Sequence, residues 1–247
     1  MKHLPTIALV LSVCLHANAA EYVPLQPAKD VKILRETWHD DARQRDVPVK
    51  IYLPKGTGTF PVVIFSHGLG GSREGYEYLG KWWAGCGYVT VHLQHAGSDD
   101  FVWKDVPPDE RRKALMGAVL DVSNALDRVG DVRFVIDKLA LLNKETASPL
   151  HARLDLAHIG MAGHSFGGWT TMAISCESSG PAGKSLADPR ITAAIEMSAP
   201  ATRLQTRQNA LTGITIPLLH MTGTLDDSPI GETKAADRRL LFDGMTN

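Results

Sequence analysis

The sequence predicts an α/β fold: a mostly parallel central sheet with helices on both faces. Two patterns predict it. Apolar runs of strand length alternate with helix-length segments, which implies parallel strands joined by right-handed crossovers. Several of those runs are continuously apolar, as strands buried on both faces must be. A third observation points to function. Gly163-His164-Ser165-Phe166-Gly167 stands between an apolar run and a helical one, the strand–turn–helix setting of a nucleophilic serine.

The elements follow in order. Lys2 and His3 are basic, Leu4 to Leu15 is apolar but for Pro5, Thr6, Ser12 and Cys14, and Ala17-Asn18-Ala19 offers a small-residue cleavage site. Residues 1–20 therefore read as a secretory signal peptide, cleaved after Ala19 or Ala20 and too short for a transmembrane helix. The mature protein is expected to be secreted or periplasmic, without stable membrane insertion. Cys14 raises a lipoprotein alternative, against which the bulky Val13 argues. Residues 21–247 read as one domain. Val31 to Trp38 and Val47 to Leu53 alternate in polarity, as an antiparallel opening pair does. Pro61 to Ser66 and Tyr88 to Leu93 are buried strands, with a helix over Tyr76 to Cys86 between them. Residues 98–109 are loop-like. Glu110 to Val129 and Asp131 to Leu142 read as helices separated at Gly130. Leu156 to Ala162 is the strand that carries the pentapeptide, and the helix after it runs from Trp169 to Cys176. Ile191 to Met197 and Ile216 to Met221 are further strands, and Gly231 to Phe242 starts another helix. Cys86 and Cys176 fall on helices expected on opposite faces of the sheet, so two free, buried thiols are expected.

Composition narrows the function. A chain of 247 residues, 44% hydrophobic and 21% charged, has ample core for a globular domain, and a net charge of -1 implies no affinity for nucleic acid or anionic membranes. No His or Cys spacing resembles a zinc site, and no cofactor is implied.

A serine hydroxyl needs a general base, an orienting carboxylate and an oxyanion hole. With this pentapeptide the chain order is Ser, then Asp or Glu, then His. Thr222-Gly223-Thr224-Leu225-Asp226-Asp227-Ser228-Pro229 follows a strand, so its acids lie on the same rim as Ser165. Asp226 is favoured, with Asp227 as the alternative and a solvated turn acid as the bland reading. Ser66-His67-Gly68-Leu69-Gly70-Gly71 follows another strand. It places the Leu69 N–H as one oxyanion donor, with the Phe166 N–H as the second. His67 is expected to brace that loop. No histidine follows Asp226. His220 reads as a core histidine of a buried strand, and His67, His92, His95 and His164 precede or adjoin Ser165. Trp82 and Trp83 read as core, Trp103 as a rim residue touching substrate or anchoring the surface. Phe166 reads as an acyl-pocket residue, Trp169 as packed inward, and Arg111 to Lys113 as a solvated face.

These pieces resemble a known family. Phe65 to Ser72, Gln94-His95-Ala96-Gly97-Ser98-Asp99, Gly163 to Gly168, Thr222 to Pro229 and the helical stretch Asp131 to Leu139 are similar to the α/β-hydrolase fold. The similarity is to its dienelactone-hydrolase-like and platelet-activating-factor-acetylhydrolase-like branch, near the cutinase-type polyester hydrolases, and it spans residues 45 to 240. The resemblance implies a serine ester hydrolase with Ser165 as nucleophile and Asp226 as acid, acting on a small-molecule, lipid or polymer ester. Dienelactone hydrolases proper use Cys, so Ser165 points to esterase chemistry. The family's His lies one strand beyond the acid and is expected beyond Asn247. The chain is therefore expected to be a C-terminally truncated fragment with little activity. Two rivals stand beside this reading: acyl transfer or lipid deacetylation on the same groups, and a non-catalytic relative that keeps the fold as a binding module.

Overall fold

The computed structural model describes residues 26–27, 30–175, 185–201 and 214–245. The signal-peptide reading and Cys176 lie outside them. Seven strands form one sheet: β1 (Val31–Asp40), β2 (Arg45–Pro54), β3 (Phe60–Ser66), β4 (Val89–Leu93), β5 (Leu154–His164), β6 (Ile191–Met197) and β7 (Leu218–Met221). Their spatial order is β1-β2-β4-β3-β5-β6-β7. β1 pairs β2, and β2 pairs β4, antiparallel; every other pairing is parallel. The helices are α1 (Glu77–Gly85), α2 (Arg111–Leu120), α3 (Val122–Leu142), α4 (Phe166–Ser175) and α5 (Ala235–Asp243).

Alternation along each strand sorts side chains to two faces. Ile51, Ile64 and Val91 share a core with Val129, Val132, Val135 and Ile136 of α3. Lys50, Phe65 and His92 point to the α1 side, where Lys50 Nζ meets Glu77 at 2.7 Å and Phe65 faces Trp83 with ring centres 6.3 Å apart. Helices thus cover both faces, as the alternation of the sequence implies. After β3 the chain adds β4 on one side and then β5 on the other, so the strand order reverses at β3. A crevice opens at such a switch point, outside the carboxyl ends of the strands.

Four expectations are corrected. The break before α3 falls at Asp121, not Gly130. Asp121 is extended (φ -77°, ψ 107°) and its carboxylate caps the new helix by accepting the Ser123 N–H at 2.9 Å. Gly130 lies inside α3, where a Cβ would come within 2.6 Å of Arg43 Nη1. Its missing side chain serves close packing, not a helix break. Trp82 is 46% exposed rather than core, because it falls on the outer side of α1. Cys86 is free but only half-buried. Finally, the strand expected from Ile216 begins only at Leu218.

Candidate active site

The site is built where β3, β5, β6 and β7 end. Register makes three of those ends level: His164 pairs Met197, and Met197 pairs Met221. The next residues leave the sheet together. Ser165 N donates to Met197 O, and Ser198 N donates to Met221 O, both at 2.8 Å. Ser165 has φ +54°, a left-handed conformation that costs a non-glycine residue free energy and is held only by its surroundings. Those surroundings are tight. A Cβ on Gly167 would collide with the Ser66 carbonyl oxygen, and one on Gly163 would lie 2.8 Å from Thr171 Oγ1. Both flanking glycines are thus required by the close approach of β3 and α4 to the turn. Ser165 itself remains partly exposed.

The loop after β3 lies against this turn, since a Cβ on Gly68 would be 3.3 Å from Ser165 Cβ. Among the described residues the backbone N–H groups of Leu69 and Phe166 have no intramolecular hydrogen-bond partner. His67 braces the loop, as expected from sequence. Its Nδ1 donates to Gly68 O at 2.6 Å and its Nε2 accepts the His95 N–H at 3.1 Å, so only the neutral Nδ1–H tautomer fits. Burial agrees, holding His67 well below its ordinary value. Trp103, expected at the rim, donates Nε1 to Gly70 O at 2.7 Å. Gly70 has φ +72° and a Cβ there would strike that indole.

Beneath the loop lies a network that sequence reasoning missed. Ser66 Oγ lies 2.7 Å from His95 Nε2, and His95 Nδ1 lies 2.8 Å from Asp131 Oδ2. Arg43 and Arg45 reach the same carboxylate at 2.8 and 2.9 Å. This is a Ser–His–Asp chain in connectivity, yet all three residues are buried, so no substrate carbonyl reaches it. Burial lowers His95 to about 4, leaving it neutral. It donates to Asp131 and accepts from Ser66. Arg128 completes the network: it donates to Thr170 Oγ1 and Ser98 Oγ at 2.9 Å, to Ser66 Oγ at 3.2 Å, and to His67 O. Burial lowers Arg128 to about 9, still charged at neutral pH. The Gln94 to Asp99 stretch was the available signal, because polar residues directly after a buried strand need partners.

The two acids of the β7 loop part company. Asp227 belongs to α5: it accepts the Ala235 N–H at 2.9 Å and pairs with Lys234 at 3.0 Å. Asp226 Oδ2 accepts from Thr222 Oγ1 at 3.1 Å and lies 3.2 Å from Arg238 Nε. Burial opposes its ionisation, but Ser198, Arg238 and Thr222 together hold its carboxyl below the ordinary value. Arg238 also donates to Asp226 O at 2.8 Å and Ala199 O at 2.7 Å, tying the acid loop to the turn after β6. His164 accepts or shares a proton with Tyr76 Oη at 2.7 Å. Burial lowers it, with the Asp226 charge opposing and the Arg238 charge adding. His220, expected as a core histidine of a buried strand, turns its side chain to the buried Glu196 from a strand that is itself only partly buried. Among the described residues no histidine is hydrogen-bonded to Ser165 Oγ or to Asp226. Phe166, expected in an acyl pocket, is instead buried under the Arg128 guanidinium, 4.5 Å from it, and Trp169 packs on the core. Among the described residues no cluster of three His, Cys, Asp or Glu is arranged to hold a metal, and no helix is long and apolar enough to cross a membrane.

The sheet order, the turn at Ser165 and the two loops beside it define the α/β-hydrolase fold. A candidate dienelactone hydrolase of Klebsiella pneumoniae shares it, with a TM-score of 0.59 over 86% of this chain and 80% of that chain at 16% identity. A family model described as platelet-activating factor acetylhydrolase, isoform II, matches residues 42–105. A platelet-activating factor acetylhydrolase of Cavia porcellus is 29% identical over 154 residues, 51% of this chain; the match spans 34% of that relative's length. The fold is thus that of the α/β-hydrolases, and part of the chain is similar in sequence to platelet-activating factor acetylhydrolases.

Proposed function

We propose that this protein is a serine hydrolase of carboxylic esters, acting through an acyl-Ser165 intermediate. The observation that carries the reading is the left-handed Ser165 held at a strand end beside the Leu69 and Phe166 N–H groups, which have no hydrogen-bond partner among the described residues. In this reading Ser165 Oγ attacks the ester carbonyl carbon and passes its proton to an imidazole. The carbonyl oxygen becomes an oxyanion held by the Leu69 and Phe166 N–H groups. The C–O bond to the alcohol breaks, the imidazole returns the proton to the leaving oxygen, and water then hydrolyses the acyl-serine. Asp226 orients and stabilises the imidazolium, and its lowered pKa suits a carboxylate that stays ionised. Among the described residues no histidine is hydrogen-bonded to Ser165 or Asp226, so this reading assigns the imidazole to no residue of the described structure. A lipid ester or another small ester with an accessible carbonyl is the substrate class that the acetylhydrolase likeness supports. The leader-like residues 1–20 support action outside the cytoplasm.

The test is labelling of the full-length protein with a fluorophosphonate. Wild type should be labelled once, on the peptide carrying Ser165, and Ser165→Ala should not be labelled. A folded wild type that resists the reagent, or equal labelling of Ser165→Ala, refutes the reading.

A further inference from the structure

We propose that Arg128 is the positioning residue of the oxyanion hole: it locks the two backbone segments that carry the Leu69 and Phe166 N–H groups into one rigid frame. The proposal rests on the serine-hydrolase reading for the use of that frame, but the frame itself is a matter of geometry. Leu69 belongs to the loop after β3 and Phe166 to the first turn of α4, segments far apart in sequence. Two N–H groups stabilise an oxyanion only if they converge on one point, so something must fix the segments relative to each other.

Arg128 is placed to do so. It reaches in from α3, is 0% exposed, and spends its planar fork on both sides of the gap. On the loop side Nη2 donates to Ser66 Oγ and to the His67 carbonyl, which sets the plane of the peptide that leads into Gly68 and Leu69. On the helix side Nε donates to Thr170 Oγ1, which in turn donates to Phe166 O at 3.0 Å. The guanidinium also covers the Phe166 ring at 4.5 Å. Nη1 takes Ser98 Oγ, and the Ser98 carbonyl accepts the Gly70 N–H at 2.9 Å, a third tie to the same loop. No carboxylate is hydrogen-bonded to this guanidinium among the described residues. Burying a cation without a direct counter-ion is costly, and a hydrophobic residue would fill the space at lower cost. What a hydrophobic residue cannot do is hold four polar groups on three segments at fixed angles. Lysine, a point donor, cannot do it either.

The test uses the full-length protein with Arg128→Lys, which keeps the charge but loses the fork. It also uses Thr170→Val, which keeps the volume but cuts the tie to Phe166 and guards against a misfolded first variant. Two quantities are read: amide hydrogen exchange at Gly70 and Gly71, and the rate of fluorophosphonate labelling at Ser165. Both variants should raise exchange at the two glycines about tenfold and slow labelling by about 100-fold. Amides of β1 and β2 should be unchanged, and Thr170→Ser should restore both readouts. Exchange is readable whether or not Ser165 reacts, so a wild type that fails to label sinks the hydrolase reading alone. Wild-type exchange and labelling in Thr170→Val, or exchange that rises equally in β1 and β2, overturns the role of Arg128.

Discussion

Lowering the pH from 6.5 towards 4 should unfold this protein through histidines that the fold keeps neutral. His92 and His95 are 1% and 0% exposed. Burial lowers both from the ordinary 6.5 to about 4. In the unfolded chain both titrate at the ordinary value. Below pH 6.5 the unfolded state therefore binds protons that the folded state refuses, and stability falls as the pH falls until about pH 4. Each group contributes about 3 kcal/mol that is fully present above pH 6.5 and gone at pH 4. The pair together is worth about 6 kcal/mol, comparable with the whole stability of an ordinary domain. His67, also lowered by burial, acts in the same direction. Glu74, held at about 2 by Arg35 and Lys50, and Glu77, held at about 2 by Lys50 and Lys81, add to the loss only below about pH 5, where their unfolded carboxyls begin to take up protons. His92 is the better probe of the two. Its Nδ1 donates to Gly75 O at 3.1 Å, its Nε2 has no partner among the described residues, and its ring lies against those of Tyr52 and Phe65. His92→Leu keeps that apolar packing and removes one titrating group. Urea unfolding between pH 6 and pH 5 should give wild type a stability that falls by about 2 kcal/mol per pH unit or more, and His92→Leu a slope about 1 kcal/mol per pH unit shallower. A flat wild-type profile, or an unchanged slope in His92→Leu, would refute the reasoning.

Two further outcomes are expected. Gly167→Ala puts a Cβ into the Ser66 carbonyl, whereas Gly117→Ala in α2 meets nothing within 4 Å. The first should lose about 3 kcal/mol or more and the second gain about 0.5–1 kcal/mol. Thermal melts decide, and the reverse order would overturn the packing argument. Asp226→Asn should cut Ser165 labelling by roughly 10⁴-fold if it orients the base. Asp227→Ala should leave the labelling rate unchanged and lower stability by about 1 kcal/mol through the lost cap of α5. A rate that follows Asp227 instead would transfer the role.

Much of the site was legible because its signals are local. The pentapeptide around Ser165, the glycine-rich loop at Leu69 and the acidic loop at Asp226 each sit within a few residues of an apolar strand, and each strand announces itself by periodicity. The choice between Asp226 and Asp227 was not local, since α5 claims Asp227 only after it folds back on the loop. The helix break showed the same limit. Gly130 carries the helix-breaking composition, but Arg43, 87 positions away, packs on it, and the cap at Asp121 takes the break.

Sequence alone determined the alternating architecture, the order of the elements and the residues at the strand ends, because these follow from side-chain patterns within one element. Only the tertiary structure decided what holds the site in shape. Arg128 reaches Ser66 across 62 residues, and His95 reaches Asp131 across 36. Hydrogen bonds between such distant polar groups leave no period in the chain. They exist because a buried donor must find an acceptor wherever the packed fold brings one, and that is known only once the sheet and its helices have closed around it.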